Sequence, residues 1–130
     1  FYLSKGEEIW MNDSYWLFMP FKLKDTGVTL TYVKEGMTQF GELSDVLKLT
    51  FKDVGATPDN AYWVWVSKDQ DLIKQWAYFR HFTDSIPYFV SPWNDYKEYG
   101  EILLATGRGW RHLTNVAVLS SVPPKIFISL

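Results

Sequence analysis

The chain of 130 residues has no cysteine. That excludes disulfides, thiolate metal sites and a cysteine nucleophile, and it fits a reducing cytosol and a bacterial periplasm equally well. No apolar run is long enough to cross a bilayer, and the opening stretch lacks the basic start and apolar core of a signal peptide. Thirteen Lys and Arg stand against fifteen Asp and Glu, with no basic block, so the electrostatic footprint that nucleic acid or an anionic membrane demands is missing. No glycine-rich phosphate loop is present either. Gly107 and Gly109 read as part of a turn, Thr106 to Gly109, that leads into no helix. The chain opens on Phe1, and we expect it to be one domain that forms the C-terminal part of a longer protein.

Aromatic side chains are what the sequence has in excess. Seven Trp, eight Tyr and nine Phe make 18% of the residues, about double an ordinary soluble domain. They concentrate in Ala61 to Arg80, where two aromatic runs flank Lys68-Asp69-Gln70-Asp71, a turn tetrapeptide between the strands of a β-hairpin. Alternation places Tyr62, Val64 and Val66 on one face and Trp63 and Trp65 on the other. The returning run sets Leu72, Lys74, Trp76 and Tyr78 against Ile73, Gln75, Ala77 and Phe79, so both faces carry bulky groups.

The rest of the chain follows the same style. Val28 to Val33 and Leu43 to Lys52 alternate as half-buried strands, Val54 to Asn60 is a loop, and His81 to Trp93 is a loop interrupted by Pro87 and Pro92. Glu101 to Ala105 and Leu113 to Leu119 read as further strands, Ile126 to Leu130 as a terminal strand or frayed end, and Phe1 to Leu3 as the tail of a strand broken by Lys5-Gly6. The one helix signal is short: Asn12, Asp13 or Ser14 caps a turn through Tyr15 to Phe18, and Pro20 stops it. Strands joined by short polar turns predict a mainly β fold, an antiparallel meander with one short helix packed on a face.

Candidate chemistry is thin. His81, Asp84 and Ser85 have the residue types of a hydrolytic triad, but crowded in one loop they lack separate rigid supports. His112 has no patterned carboxylate with which to hold zinc, Asp69 and Asp71 are too few oxygens for calcium, and adjacent Glu7 and Glu8 suit a helix start. No metal, no cofactor and no catalytic residue is therefore expected. Arg108 and Arg111 are the candidates for a polar rim that receives an anionic head group.

The aromatic surplus supports two readings. Trp10, Tyr15, Trp16, Phe18, Met19 and Phe21, facing Trp63, Trp65, Trp76 and Tyr78, form either a core or the walls of a cavity. A cavity would take a hydrophobic ligand: burying ten methylenes at about 0.8 kcal/mol each supplies roughly 8 kcal/mol before ordering costs. The walls we expect are Trp16, Phe18, Trp63, Trp65, Trp76 and Tyr78. A sugar-stacking β-sandwich and a purely structural domain are the rivals.

Three stretches, Tyr15 to Leu23, Ala61 to Ile73 and Trp93 to Ile102, in that order and spacing, resemble the LolA-like lipoprotein-carrier superfamily of bacterial envelopes, and most nearly the uncharacterised Bacteroidetes envelope proteins of that type. The resemblance implies a curved antiparallel half-barrel whose concave apolar face, covered by helices, holds acyl chains in the periplasm or at the outer membrane. The strands and helix that precede the helical segment in such proteins are missing here. One sheet edge would then be open, and we expect a homodimer through it or dependence on a missing N-terminal part.

Overall fold

The computed structural model describes residues 2–52 and 57–127. Over these residues it is mainly β, with one α-helix and eight strands in two antiparallel sheets, neither closed into a barrel. Helix α1 spans Tyr2–Phe18 and passes into a 3-10 turn, Met19–Lys22. The strands are β1 Val28–Met37, β2 Leu43–Phe51, β3 Ala61–Ser67, β4 Ile73–Phe79 and β5 Phe89–Pro92 in the larger sheet. The smaller holds β6 Asn94–Tyr99, β7 Ile102–Arg108 and β8 Arg111–His112. Each sheet is a plain meander in chain order, as the short connections require.

The helix is longer than the capped turn expected from sequence. Gly6 lies inside it, at a cost of about 1 kcal/mol relative to alanine, and Tyr2 and Leu3 are helical rather than extended. Only Ile9 in the segment is β-branched, and Lys5 pairs with Glu8 one turn on at 3.0 Å. Pro20 lacks the N–H that another α-turn would need, so the chain tightens into the 3-10 turn and drives Met19 into the core, fully buried. Ser14 caps nothing; its hydroxyl donates back to the Met11 carbonyl.

Register across β2, β3 and β4 sorts the side chains. Leu47, Val64 and Trp76 lie in one cross-strand row, as do Leu49, Tyr62 and Tyr78 in the next. With Met19, Trp93 and Ala105 these rows form the main core, closed by the end of α1 and by the small sheet. The opposite face carries Ala61, Ala77 and Phe79, flanked by half-buried Trp63 and Trp65. A bulge between Trp65 and Val66 admits Lys74 as an extra residue while keeping Val66 beside Ile73.

Three connections differ from expectation. Part of the His81 to Trp93 loop is strand β5, whose Pro92 stands at the sheet's outer edge where a missing N–H is tolerated. Thr106, Gly107 and Arg108 are strand, and the turn is Gly109-Trp110, with Gly109 at φ +72°. Leu113 to Leu119 is not a strand; beyond His112 the chain is irregular until the 3-10 turn Pro124–Phe127. Part of the Val54 to Asn60 loop, and Phe1 and 128–130 at the ends, lie outside the described residues.

Candidate functional site

A groove of about 760 Å³ opens between α1 and the core face of the larger sheet. Phe51, Tyr62, Trp76, Tyr78 and Phe89 form its floor, one or two aromatics from each of four consecutive strands. Its other wall is helical. Glu8, Met11, Asn12, Tyr15 and Trp16 recur at the three- and four-residue spacing that places side chains on one helical face, with Trp10 and Ser14 beside them.

The floor is a continuous aromatic surface. Tyr62 stacks on Trp76 at 5.2 Å, leans on Tyr78 at 5.5 Å and meets Phe51 edge-on at 5.7 Å. Tyr78 reaches Phe89 at 5.5 Å, and Trp16 stands edge-on to Trp76 at 4.9 Å. Such edge-on and offset contacts hold rings rigid without closing the space above them. Lys22, Asp25, Thr26 and Asn60 supply polar atoms at the margin, where Lys22 pairs with Asp25 at 2.8 Å.

Burial shapes the groove's few polar atoms. It pushes the Tyr62 phenol up to about 12, with Tyr78 adding to the shift, and raises Tyr15 further still. Both hydroxyls are therefore neutral donors at physiological pH. The Tyr15 hydroxyl and the Trp76 indole N–H are buried with no hydrogen-bond partner. An unmet buried donor costs about 1 to 3 kcal/mol. The aromatic frame is thus not a fully satisfied core.

Helix α1 meets the body of the protein mainly at its C-terminal end. Tyr15 and Trp16 pack against the core, whereas Lys5 to Asp13 stay exposed, Trp10 at 72%. The anchor at that end is Arg108. Its guanidinium donates to the Trp16 carbonyl, in the helix's last turn, and to the carbonyls of Ala105 and Gly107, and it stacks on the Trp93 ring. A cation suits that position because the last carbonyls of a helix are unpaired and carry partial negative charge.

The structure divides the expected wall residues. Trp16, Trp76 and Tyr78 are brought together in the groove. Trp63 and Trp65 face the other side of the sheet, where Trp63 packs on Phe79 at 5.2 Å. Phe18 points away from the groove and meets Phe21. The expected rim is corrected too: Arg108 is 4% exposed and spent on the helix end, and Arg111 sits beyond the β7–β8 turn with its guanidinium over exposed Trp110. Met11, Tyr62, Phe51 and Phe89 complete the groove but were not among the expected wall residues. Tyr62 was already assigned to the face opposite Trp63 and Trp65 by alternation, so the signal for it was available.

The histidine loop forms no triad. The Asp84 carboxylate accepts the backbone N–H of His81 at 3.0 Å, a turn contact, and all three residues are exposed. Among the described residues, no three His, Cys, Asp or Glu side chains gather as a metal cluster. Among the described residues no helix is long and apolar enough to cross a membrane. Comparison with known protein families, with characterised proteins and with solved structures finds no match for this chain.

Proposed function

We propose that the chain is a non-enzymatic binding domain that holds one hydrophobic or lipid-like molecule between α1 and the larger sheet. The observation that carries this reading is the groove itself: aromatic rings line its floor and its helical wall, and two of these lining residues, Tyr15 and Trp76, hold buried donors without partners. Its size lies within the range of small-molecule sites, which are mostly apolar with a few placed polar groups. The three stretches that resemble LolA-like carriers support an acyl chain as the guest and a bacterial envelope as the setting. The test is a titration of the purified chain with a fluorescent fatty acid. Saturable enhancement at one site per chain supports the proposal, and fluorescence no greater than that with a folded protein lacking a groove rejects it.

Sugar stacking is the alternative, and one observation favours it. Trp110 is 84% exposed at the β7–β8 turn, backed by Arg111 at 4.5 Å, a flat polarised platform of the kind that meets a sugar ring. Calorimetry against glycans separates the two.

Association of two copies is a further part of the proposal. The outer edge of β1 is unpaired among the described residues. A bulge between Tyr32 and Lys34, followed by charged Lys34 and Glu35, blunts its second half. That leaves Val28 to Tyr32 as the segment through which a second copy would add its own β1.

A further inference from the structure

The second site lies on the small sheet, away from the groove. Gly107 pairs with Asn94 on one side and with His112 on the other, so these three positions form one cross-strand row with side chains on one face. Asp95 follows Asn94 and in a regular strand would point to the opposite face. Its φ of +60° breaks that alternation. The Asp95 carboxylate turns back over Gly107 beside the Asn94 amide oxygen, and a methyl group at position 107 would overlap both oxygens.

His112 completes the set. Its Nδ1 lies 3.3 Å from the Asp95 carboxylate oxygen, longer than an ordinary N–H···O hydrogen bond. Two donors bound to one cation at about 2.1 Å, at a right angle to each other, are separated by about 3 Å, close to that spacing. The Thr106 hydroxyl donates to the Asp95 carbonyl at 3.4 Å and holds the backbone that aims the carboxylate. Beside Asp95 and His112 lies a cavity of about 730 Å³, lined also by Thr106, Leu113 and Asn115, with room for water. Neither Asp95 nor His112 is closed off from solvent.

We infer that Asn94 Oδ1, Asp95 Oδ2 and His112 Nδ1 form an open divalent-cation site over Gly107. One carboxylate, one amide oxygen and one imidazole suit borderline metals such as Zn²⁺, Co²⁺ or Mn²⁺, with water filling the remaining positions. Magnesium fits less well because it prefers oxygen throughout. Sequence spacing conceals the set, since two ligands are adjacent and only the left-handed backbone at Asp95 puts them on the same side. One of these two, Asn94, is not a residue type on which metal patterns are built, and the third, His112, lies on another strand.

The experiment is calorimetric and NMR titration of the full chain with Zn²⁺. One ion binds per chain, and the His112 ring resonances shift while those of His81 do not. Asp95→Asn and His112→Gln each weaken binding by at least about tenfold, since even an outer-shell partner is typically worth 10–100-fold. Gly107→Ala weakens it comparably by displacing both oxygens, and circular dichroism confirms that each variant is folded. His81→Ala binds as the parent does. Absence of Zn²⁺ binding by the parent chain overturns the assignment, as does binding that shifts His81 alone or survives His112→Gln. The wild-type NMR result decides this even where a variant fails to fold, and no result here depends on whether the groove binds lipid.

Discussion

The guanidinium carbon of Arg108 lies 3.2 Å from the centre of the Trp93 ring, and one arm of the same group donates to the Trp16 carbonyl. One buried cation therefore joins β7, the residue that enters β6 and the last turn of α1. Among the described residues no carboxylate neutralises it; its partners are carbonyls. Burial draws the Arg108 guanidinium down to about 10, still charged at physiological pH. Arg108→Ala strands three carbonyls and removes the stacking partner of Trp93. A loss of about 2 to 4 kcal/mol in urea unfolding is expected. Lysine rescues little of it, because an ammonium has no planar fork with which to stack and reach three carbonyls.

Trp65 and Trp10 separate stability from binding. Trp65 lies on the face away from the groove, so Trp65→Ala lowers stability by about 1 to 3 kcal/mol and leaves fatty-acid affinity unchanged. Trp10 lines the groove yet is mostly exposed, so Trp10→Ala weakens affinity roughly tenfold, about 1.4 kcal/mol, with little effect on unfolding. Paired binding and unfolding curves check both. The reverse pattern would place the ligand on the Trp63 and Trp65 face.

Alkaline pH loosens the fold. Burial raises the Tyr62 phenol to about 12 and raises Tyr15 as well. Tyr96 also reaches about 12, where burial outweighs the opposing pull of Arg108. An acid whose folded pKa is raised stabilises the native state below its unfolded pKa of 10, and that contribution is lost as pH climbs through the folded value. Stability should therefore fall between about pH 10 and 12. Phenolate absorbance followed alongside circular dichroism tests this: the last tyrosines should ionise only as the chain unfolds.

Light scattering addresses the β1 edge. Pairing through Val28 to Tyr32 gives a particle of twice the chain mass that dissociates on dilution. A single-chain mass at every concentration rules it out.

Much of the sheet was legible in the sequence, and the reasons are local. Strands β2, β3 and β4 are runs with bulky side chains on both faces, bounded by turn residues, and such a run is itself the signal of a strand covered on two sides. The helix before Tyr15 was hidden by Gly6 and by a run with few apolar residues on a common stripe, while Pro87 and Pro92 masked β5. The groove was partly legible. Trp16, Trp76 and Tyr78 line it, whereas Trp63 and Trp65 share their ring type but lie on the other face, which only the pairing of Tyr62 with Tyr78 and of Val64 with Trp76 reveals. Arg108 was misread because an arginine beside glycines resembles a solvated turn. Only the packing shows that it closes the end of a helix.

Native mass spectrometry of the purified chain tests the groove most directly. With a saturated fatty acid added at a few equivalents, the account requires a one-to-one adduct for the parent chain and for Trp65→Ala, and a much weaker one for Trp10→Ala. A bare chain throughout, or an adduct that Trp65→Ala abolishes and Trp10→Ala leaves intact, contradicts it.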